Sequence, residues 1–126
     1  MISPGFLDHL VFRVADLDRT ERFYTALIGE PAYKGEGSVM YVSGETKLFF
    51  SRATDGRSPA YDKESVGLNH LAFGVRTLIE LQTICAQLDA ARISNSGIQI
   101  DRYGKKEFIW LDDPDGIRIE FYLREN

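Results

Sequence analysis

A chain of 126 residues, 44% hydrophobic and 27% charged, has the size and composition of one globular domain able to bury its own core. Fifteen Lys and Arg against 19 Asp and Glu give a formal net charge of −4, and no basic run follows a phosphate backbone, which argues against a nucleic-acid partner. No segment approaches the ~20 apolar residues that span a bilayer, and Met1 to Asp8 lack the basic-then-apolar order of a leader, so a cytoplasmic protein without membrane contact is expected.

The first predicted element is a strand in Leu7-Asp-His-Leu-Val-Phe-Arg-Val14, where Leu10, Phe12 and Val14 face one way and His9, Val11 and Arg13 the other. A helix follows, with Asp18-Arg-Thr-Glu21 resembling a capping box, Phe23 and Leu27 on one face and Gly29 placed to end it. Short β-rich runs come next at Ala32 to Tyr33, Val39 to Val42 and Lys47 to Ser51, with Gly44 placed for the last turn. The polar stretch from Arg52 to Gly67, with Asp55-Gly56, Ser58-Pro59 and Asp62-Lys-Glu-Ser65, reads as a linker.

The order then repeats. Leu68-Asn-His-Leu-Ala-Phe-Gly-Val75 matches the first strand in register, which places His70 where His9 stands. Thr77-Leu-Ile-Glu80 opens a second helix whose apolar stripe is Leu81, Ile84, Cys85 and Leu88. The single cysteine, Cys85, has no partner for an intrachain disulfide and reads as a packed hydrophobe of that stripe. Strands are expected at Ile98 to Ile100, Phe108 to Leu111 and Ile117 to Leu123, with Asp113-Pro-Asp-Gly116 turning the chain between the last two. The expected fold is α+β: two tandem βαβββ modules, residues 5–52 and 67–124 about a linker at 53–66, forming a curved mixed sheet around a cleft with helices outside.

In the last strand Ile117, Ile119 and Phe121 share one face, and Arg118, Glu120 and Tyr122 share the other, away from the helix. Singly, a strand His is most often a packed residue and a strand Glu a solvated one. Together they carry more weight, because the chain's two histidines occupy the same slot of a duplicated module. Two imidazoles and a carboxylate suit a divalent first-row metal and leave positions open for water or substrate. Ala72 and Gly74, on the His70 face, would leave room for a pocket.

Asp8-His9-Leu10, the helix around Phe23-Tyr24, Leu68 to Val75, and Trp110-Leu-Asp-Asp-Pro-Asp-Gly-Ile-Arg-Ile-Glu-Phe121 together resemble the vicinal oxygen chelate superfamily over nearly the whole chain. That superfamily includes glyoxalase I, fosfomycin-resistance enzymes, extradiol dioxygenases, methylmalonyl-CoA epimerase and bleomycin-resistance proteins. The resemblance implies His9, His70 and Glu120 as ligands of a divalent ion (Zn, Ni, Mn, Co or Fe(II)), a small-molecule substrate, and a homodimer whose sites come from one chain or two. It also sets limits. The glyoxalase pattern has an acidic fourth ligand near the end of module one, where alignment of Lys47-Leu-Phe-Phe50 on Arg118-Ile-Glu-Phe121 puts Phe49; Glu45 is the nearest acid. Val11 stands where fosfomycin-resistance enzymes usually carry Thr, and neither their potassium loop nor a glutathione signature can be read.

The expected activity is metal-dependent lyase, isomerase or dioxygenase chemistry, the ion chelating two vicinal oxygens and stabilising an oxyanion or enolate. Arg13, Phe49, Arg102 and Trp110 are candidate substrate contacts, and Tyr103 and Tyr122 candidate proton-transfer residues. The competing reading is a metal-free protein that binds or sequesters a small molecule, as bleomycin-resistance relatives do; that group usually lacks the full ligand triad.

Overall fold

The structure, a computed structural model, describes residues 1–55 and 60–126. Gly56, Ser58 and Pro59 of the expected linker therefore lie outside the described residues. The chain divides into two compact units, Met1–Pro59 and Ala60–Asn126. Each has the order strand, helix, strand, strand, strand: β1 (His9–Val14), α1 (Leu17–Ile28), β2 (Tyr33–Lys34), β3 (Ser38–Ser43) and β4 (Thr46–Arg52) in the first; β5 (His70–Val75), α2 (Leu78–Ala90), β6 (Gln99–Ile100), β7 (Glu107–Asp112) and β8 (Arg118–Leu123) in the second. This is the two-module α+β fold that the repeat predicted.

Both units have one topology. The first and last strands of a module pair in parallel and the rest antiparallel, giving four-stranded sheets ordered β1-β4-β3-β2 and β5-β8-β7-β6. One face of each sheet receives a helix, α1 on β3 and β4, α2 on β5, β7 and β8. Strand alternation sorts the side chains accordingly. In β8, Ile119, Phe121 and Leu123 are buried under α2 while Arg118, Glu120 and Tyr122 stand partly exposed on the other face. In β1, Phe12 and Val14 are buried and His9, Val11 and Arg13 are exposed.

The first core is aromatic. Tyr24 of α1 lies 4.3 Å from Phe50, which stacks on Phe12 at 4.9 Å, and Tyr41 meets Phe50 edge-on. The buried Tyr41 keeps its hydroxyl bonded: it accepts from the Thr25 hydroxyl at 2.8 Å and donates to the Glu21 carbonyl at 3.1 Å. The second core is mostly aliphatic, with Leu81 and Leu88 of α2 and Ile109, Leu111, Ile119 and Leu123 all at most 3% exposed, and one aromatic, Phe121, that stacks on Phe73 at 5.6 Å. Each such side chain contributes roughly 1.5–3 kcal/mol through burial.

The first helix corrects one expectation. Its N-cap is Asp16, whose carboxylate accepts from the Arg19 N–H at 3.1 Å, and Asp18 lies inside the first turn. Its buried face centres on Thr20 and Tyr24, with Phe23 and Leu27 half-buried beside them. The second helix starts as expected: Thr77 accepts from the Glu80 N–H, and the Glu80 carboxylate returns to the Arg76 N–H at 3.1 Å.

The turns place the strand ends. Gly44 (φ +59°) and Glu45 make the two-residue connection between paired Ser43 and Thr46. In the other module Asp113 is buried and its carboxylate accepts from the Asp115 and Ile117 N–H groups, both at 2.9 Å, while Gly116 takes φ +86°. That turn delivers β8 in register with β5, bringing Ala72 opposite Glu120.

Candidate functional site

On the helix-free face of the second unit, three rows run across β5, β8 and β7: His70, Arg118, Asp112; Ala72, Glu120, Trp110; Gly74, Tyr122, Phe108. His70 Nε2 is 3.6 Å from Glu120 Oε1. The two line a cavity of about 590 Å³ with Asn69, Ala72, Gly74, Asp101, Tyr103, Phe108, Tyr122 and Arg124. Ala72 and Gly74 give the room that their small side chains suggested.

His70 is held by a relay. Asp62 caps its own turn, accepting from the Glu64 N–H and the Ser65 hydroxyl; the carbonyl of the next residue, Lys63, accepts from the Asn69 amide at 2.9 Å. That contact fixes the Asn69 amide, so its oxygen accepts from His70 Nδ1 at 2.9 Å and Nε2 faces Glu120. In the first unit His9 Nδ1 donates to Asp8 Oδ2 at 2.6 Å. An oxygen-bearing residue thus precedes both histidines and binds the same ring nitrogen, a repeat within the repeat that the motif alone did not reveal.

The modules part company at the next position. Phe49 occupies in β4 the register slot that Glu120 holds in β8, since Val11 pairs with Phe49 as Ala72 pairs with Glu120. Where His70 faces a carboxylate, His9 meets the Phe49 ring edge-on at 5.8 Å. Glu45, the other acid considered, is exposed in the turn before β4.

The far wall of the cavity is the 101–106 loop, fastened at Asp101. Its Oδ2 accepts from the Tyr122 hydroxyl at 2.8 Å and the Gly104 N–H at 2.6 Å. A Cβ at Gly104 would collide with the Tyr122 hydroxyl, so this close approach requires glycine. The Gly104 N–H, then Tyr122, hold the Asp101 carboxyl below its ordinary value; Tyr122, its proton committed to Asp101, is raised above the usual tyrosine value.

The other candidates are placed as follows. Tyr103 lines the cavity and is largely exposed, with the Arg102 guanidinium 5.5 Å from its ring centroid. Arg13 donates from Nη1 to the Ser51 hydroxyl at 3.0 Å. Trp110 lies under the Arg118 guanidinium at 4.1 Å. His9 belongs to the first unit; among the described residues no group of three or more His, Cys, Asp or Glu forms a metal cluster. Asn69, Asp101 and Arg118 were not singled out from sequence. Arg118 was legible only as a neighbour of Glu120 on the strand face, and the other two act through loop geometry that no spacing rule supplies.

The His70–Glu120 pair passes a simple test as part of a metal site. Metal–ligand arms of ~2.1 Å at tetrahedral angles put neighbouring donors roughly 3.4 Å apart, and the observed 3.6 Å is close to that edge. With Nδ1 engaged by Asn69, a neutral His70 presents a lone pair at Nε2.

Paired βαβββ units of this topology define the vicinal oxygen chelate fold. The chain belongs to the Glyoxalase/Bleomycin resistance protein/Dioxygenase superfamily, whose family model matches residues 6–121. It is 27% identical to the lactoylglutathione lyase of Haemophilus influenzae, over 90% of this chain and 88% of that one. A shorter match, 36% identical over 59 residues, is to the uncharacterized Escherichia coli protein YaeR and covers 47% of this chain and 43% of that protein. A Bacillus halodurans structure, solved as a candidate glyoxalase, shares the fold with a TM-score of 0.80 at 24% identity, covering 95% of this chain and 96% of that one. No helix among the described residues is long and apolar enough to cross a membrane.

Proposed function

We propose that this protein is a divalent-metal-dependent enzyme of the glyoxalase type acting on a small molecule, with His70, Glu120 and His9 as protein ligands. The observation that carries the reading is the His70–Glu120 pair at coordination-edge separation on the wall of a cavity large enough for a small ligand. When bound, the ion (Zn, Ni, Mn, Co or Fe(II)) supplies Lewis acidity to two vicinal oxygens of the substrate. His9, with its Nδ1 on Asp8, is oriented like His70 and completes the donor set, from this chain or from a second copy in a homodimer. Phe49 in place of a second carboxylate leaves three protein donors and one more coordination position for substrate or water.

The chain's own groups divide the remaining work. Asn69 holds the His70 ring and Asp101 holds Tyr122. Because the Tyr122 hydroxyl already donates to Asp101, it offers the cavity lone pairs, and Tyr103 is the better placed phenol for giving a proton to substrate. Arg13 and Phe49 would touch substrate from the His9 face. Similarity to a lactoylglutathione lyase supports lyase chemistry ahead of isomerase or dioxygenase chemistry. A cytoplasmic site of action accords with the net charge of −4 and with the lack of a membrane-crossing helix among the described residues.

Elemental analysis after dialysis against each metal tests this. The expected result is about one ion per chain in the wild type and loss in both His70→Ala and Glu120→Ala. One observation favours a second reading: Phe49 makes the His9 neighbourhood apolar, as suits a metal-free protein that sequesters a small molecule. Failure of the wild type to take up any metal would overturn the first reading and promote the metal-free one.

A further inference from the structure

We propose that Arg118 sets the substrate class of this site: its guanidinium, laid on Trp110 beside Glu120, takes an oxyanion, carboxylate or phosphate, of a metal-chelating small molecule. The proposal rests on His70 and Glu120 being metal donors, and its test is built to separate the two.

Position comes first. Arg118 is the register partner of His70 across the β5·β8 pairing and stands two residues before Glu120 on the same face of β8. Trp110, the register partner of Glu120 on β7, carries the guanidinium 4.1 Å above its ring. Glu120 therefore has the imidazole on one flank, over β5, and the cation on the other, over β7, one strand spacing of ~4.8 Å away. Arg118 stands outside the lining of the cavity, on the β7 side of Glu120, so a ligand that reaches the donor pair meets that cation by extending past Glu120 toward β7.

Its bonding capacity is not filled. The guanidinium pairs with Asp112, Nε to Oδ1 at a long 3.4 Å, and among the described residues its two Nη groups make no hydrogen bond. An arginine serving the fold alone would be expected to close a two-point ion pair with a neighbouring carboxylate, and Glu120 and Asp112 are both at hand. Instead the guanidinium is held flat by the indole, partly exposed at 23%, with its outer N–H groups unspent. Stacking fixes the long side chain before a ligand arrives, so little rotamer entropy is lost in binding one.

Charge selects the ligand. A divalent ion beside one carboxylate and an imidazole leaves a local excess of positive charge, and the Arg118 guanidinium adds to it. Vicinal oxygens that chelate the ion, together with an oxyanion that pairs with the guanidinium fork, describe a hydroxy, oxo or phospho acid rather than a neutral diol or an amine.

The test titrates metal-loaded wild type, Arg118→Gln and Arg118→Lys with oxalate, with phosphonoformate and with acetohydroxamate, which offers two vicinal oxygens but carries a methyl where the others carry charge. Trp110, the only tryptophan, reports through its fluorescence, and calorimetry gives the affinity. Arg118→Gln is expected to keep its metal and its melting temperature, to bind at least one oxyanion about tenfold more weakly or worse, and to bind acetohydroxamate within about twofold of wild type. The oxyanion that loses more identifies carboxylate or phosphate, and Arg118→Lys should recover part of the loss. Equal weakening of all three probes, or of none, overturns the proposal. If the wild type takes up no metal, it is the metal reading that fails, and the same titration of metal-free protein decides this one: an oxyanion response that vanishes in Arg118→Gln sustains it, and no response ends it.

Discussion

Asp101 shows how a single side chain can shape a site without touching its chemistry. It gathers a backbone N–H and a phenol onto one oxygen, and so decides both where the 101–106 loop runs and which way the Tyr122 proton points. Because its folded value lies below 3.8, its contribution to stability is present above that pH and is lost as pH falls through the folded value. Melts of wild type and Asp101→Asn from pH 7 to pH 3 should therefore converge below about pH 4, the wild type losing the larger increment. Asp62, Glu64 and Glu125 are also depressed, but they are common to both proteins and cancel in the difference. A gap that stays constant down to pH 3 would remove the carboxylate from this account.

Among the elements, α1 separates what a sequence states from what it only suggests. Asp16 and Asp18 are both capping residues by type, and Glu21 three positions after Asp18 imitates a capping box. The repeat points to Asp16, which superposes on Thr77, the cap of α2. Capping energies allow a direct check: Asp16→Ala should cost about 1 kcal/mol in chemical denaturation, and Asp18→Ala only a few tenths. The strands were read more easily, because alternation over six residues leaves one assignment of faces, and that alone put Glu120 and His70 on the same side. Alternation could not show that Arg118 leans toward β7 and His70 toward Glu120. Side-chain direction within a face is set by neighbours in the register, here Trp110 and Asn69, which no single strand contains.

For the molecule as a whole, the family and the two-module fold were legible because the Leu-x-His-Leu-x-Phe-x-Val motif occurs twice and starts the same order of elements each time. The divergence of the modules was legible at Phe49, where register confirms the slot that alignment had given it. The metal dependence proposed above would have a global signature. A ligand that binds only the folded state, present at a hundredfold its Kd, adds about 2.7 kcal/mol of stability. With the ion bound as proposed, a chelator should thus lower the melting temperature of metal-loaded wild type by several degrees and leave Glu120→Ala where it was; a melt indifferent to chelator would count against the proposed metal.

The parallel pairing of first and last strands has a temporal side. His70 opens its module and Glu120 nearly closes it, so everything between them must be made and threaded through the sheet before the two become neighbours. Non-local contacts of this kind form late, after the cost of closing the intervening chain has been met. On the ribosome, a growing polypeptide that has not yet released β8 holds His70 without Glu120 beside it, so the proposed pair of donors is incomplete. Of the second module's strands, the last to leave the tunnel is the one that gives His70 its neighbour, so the proposed donor pair exists only once β8 has emerged.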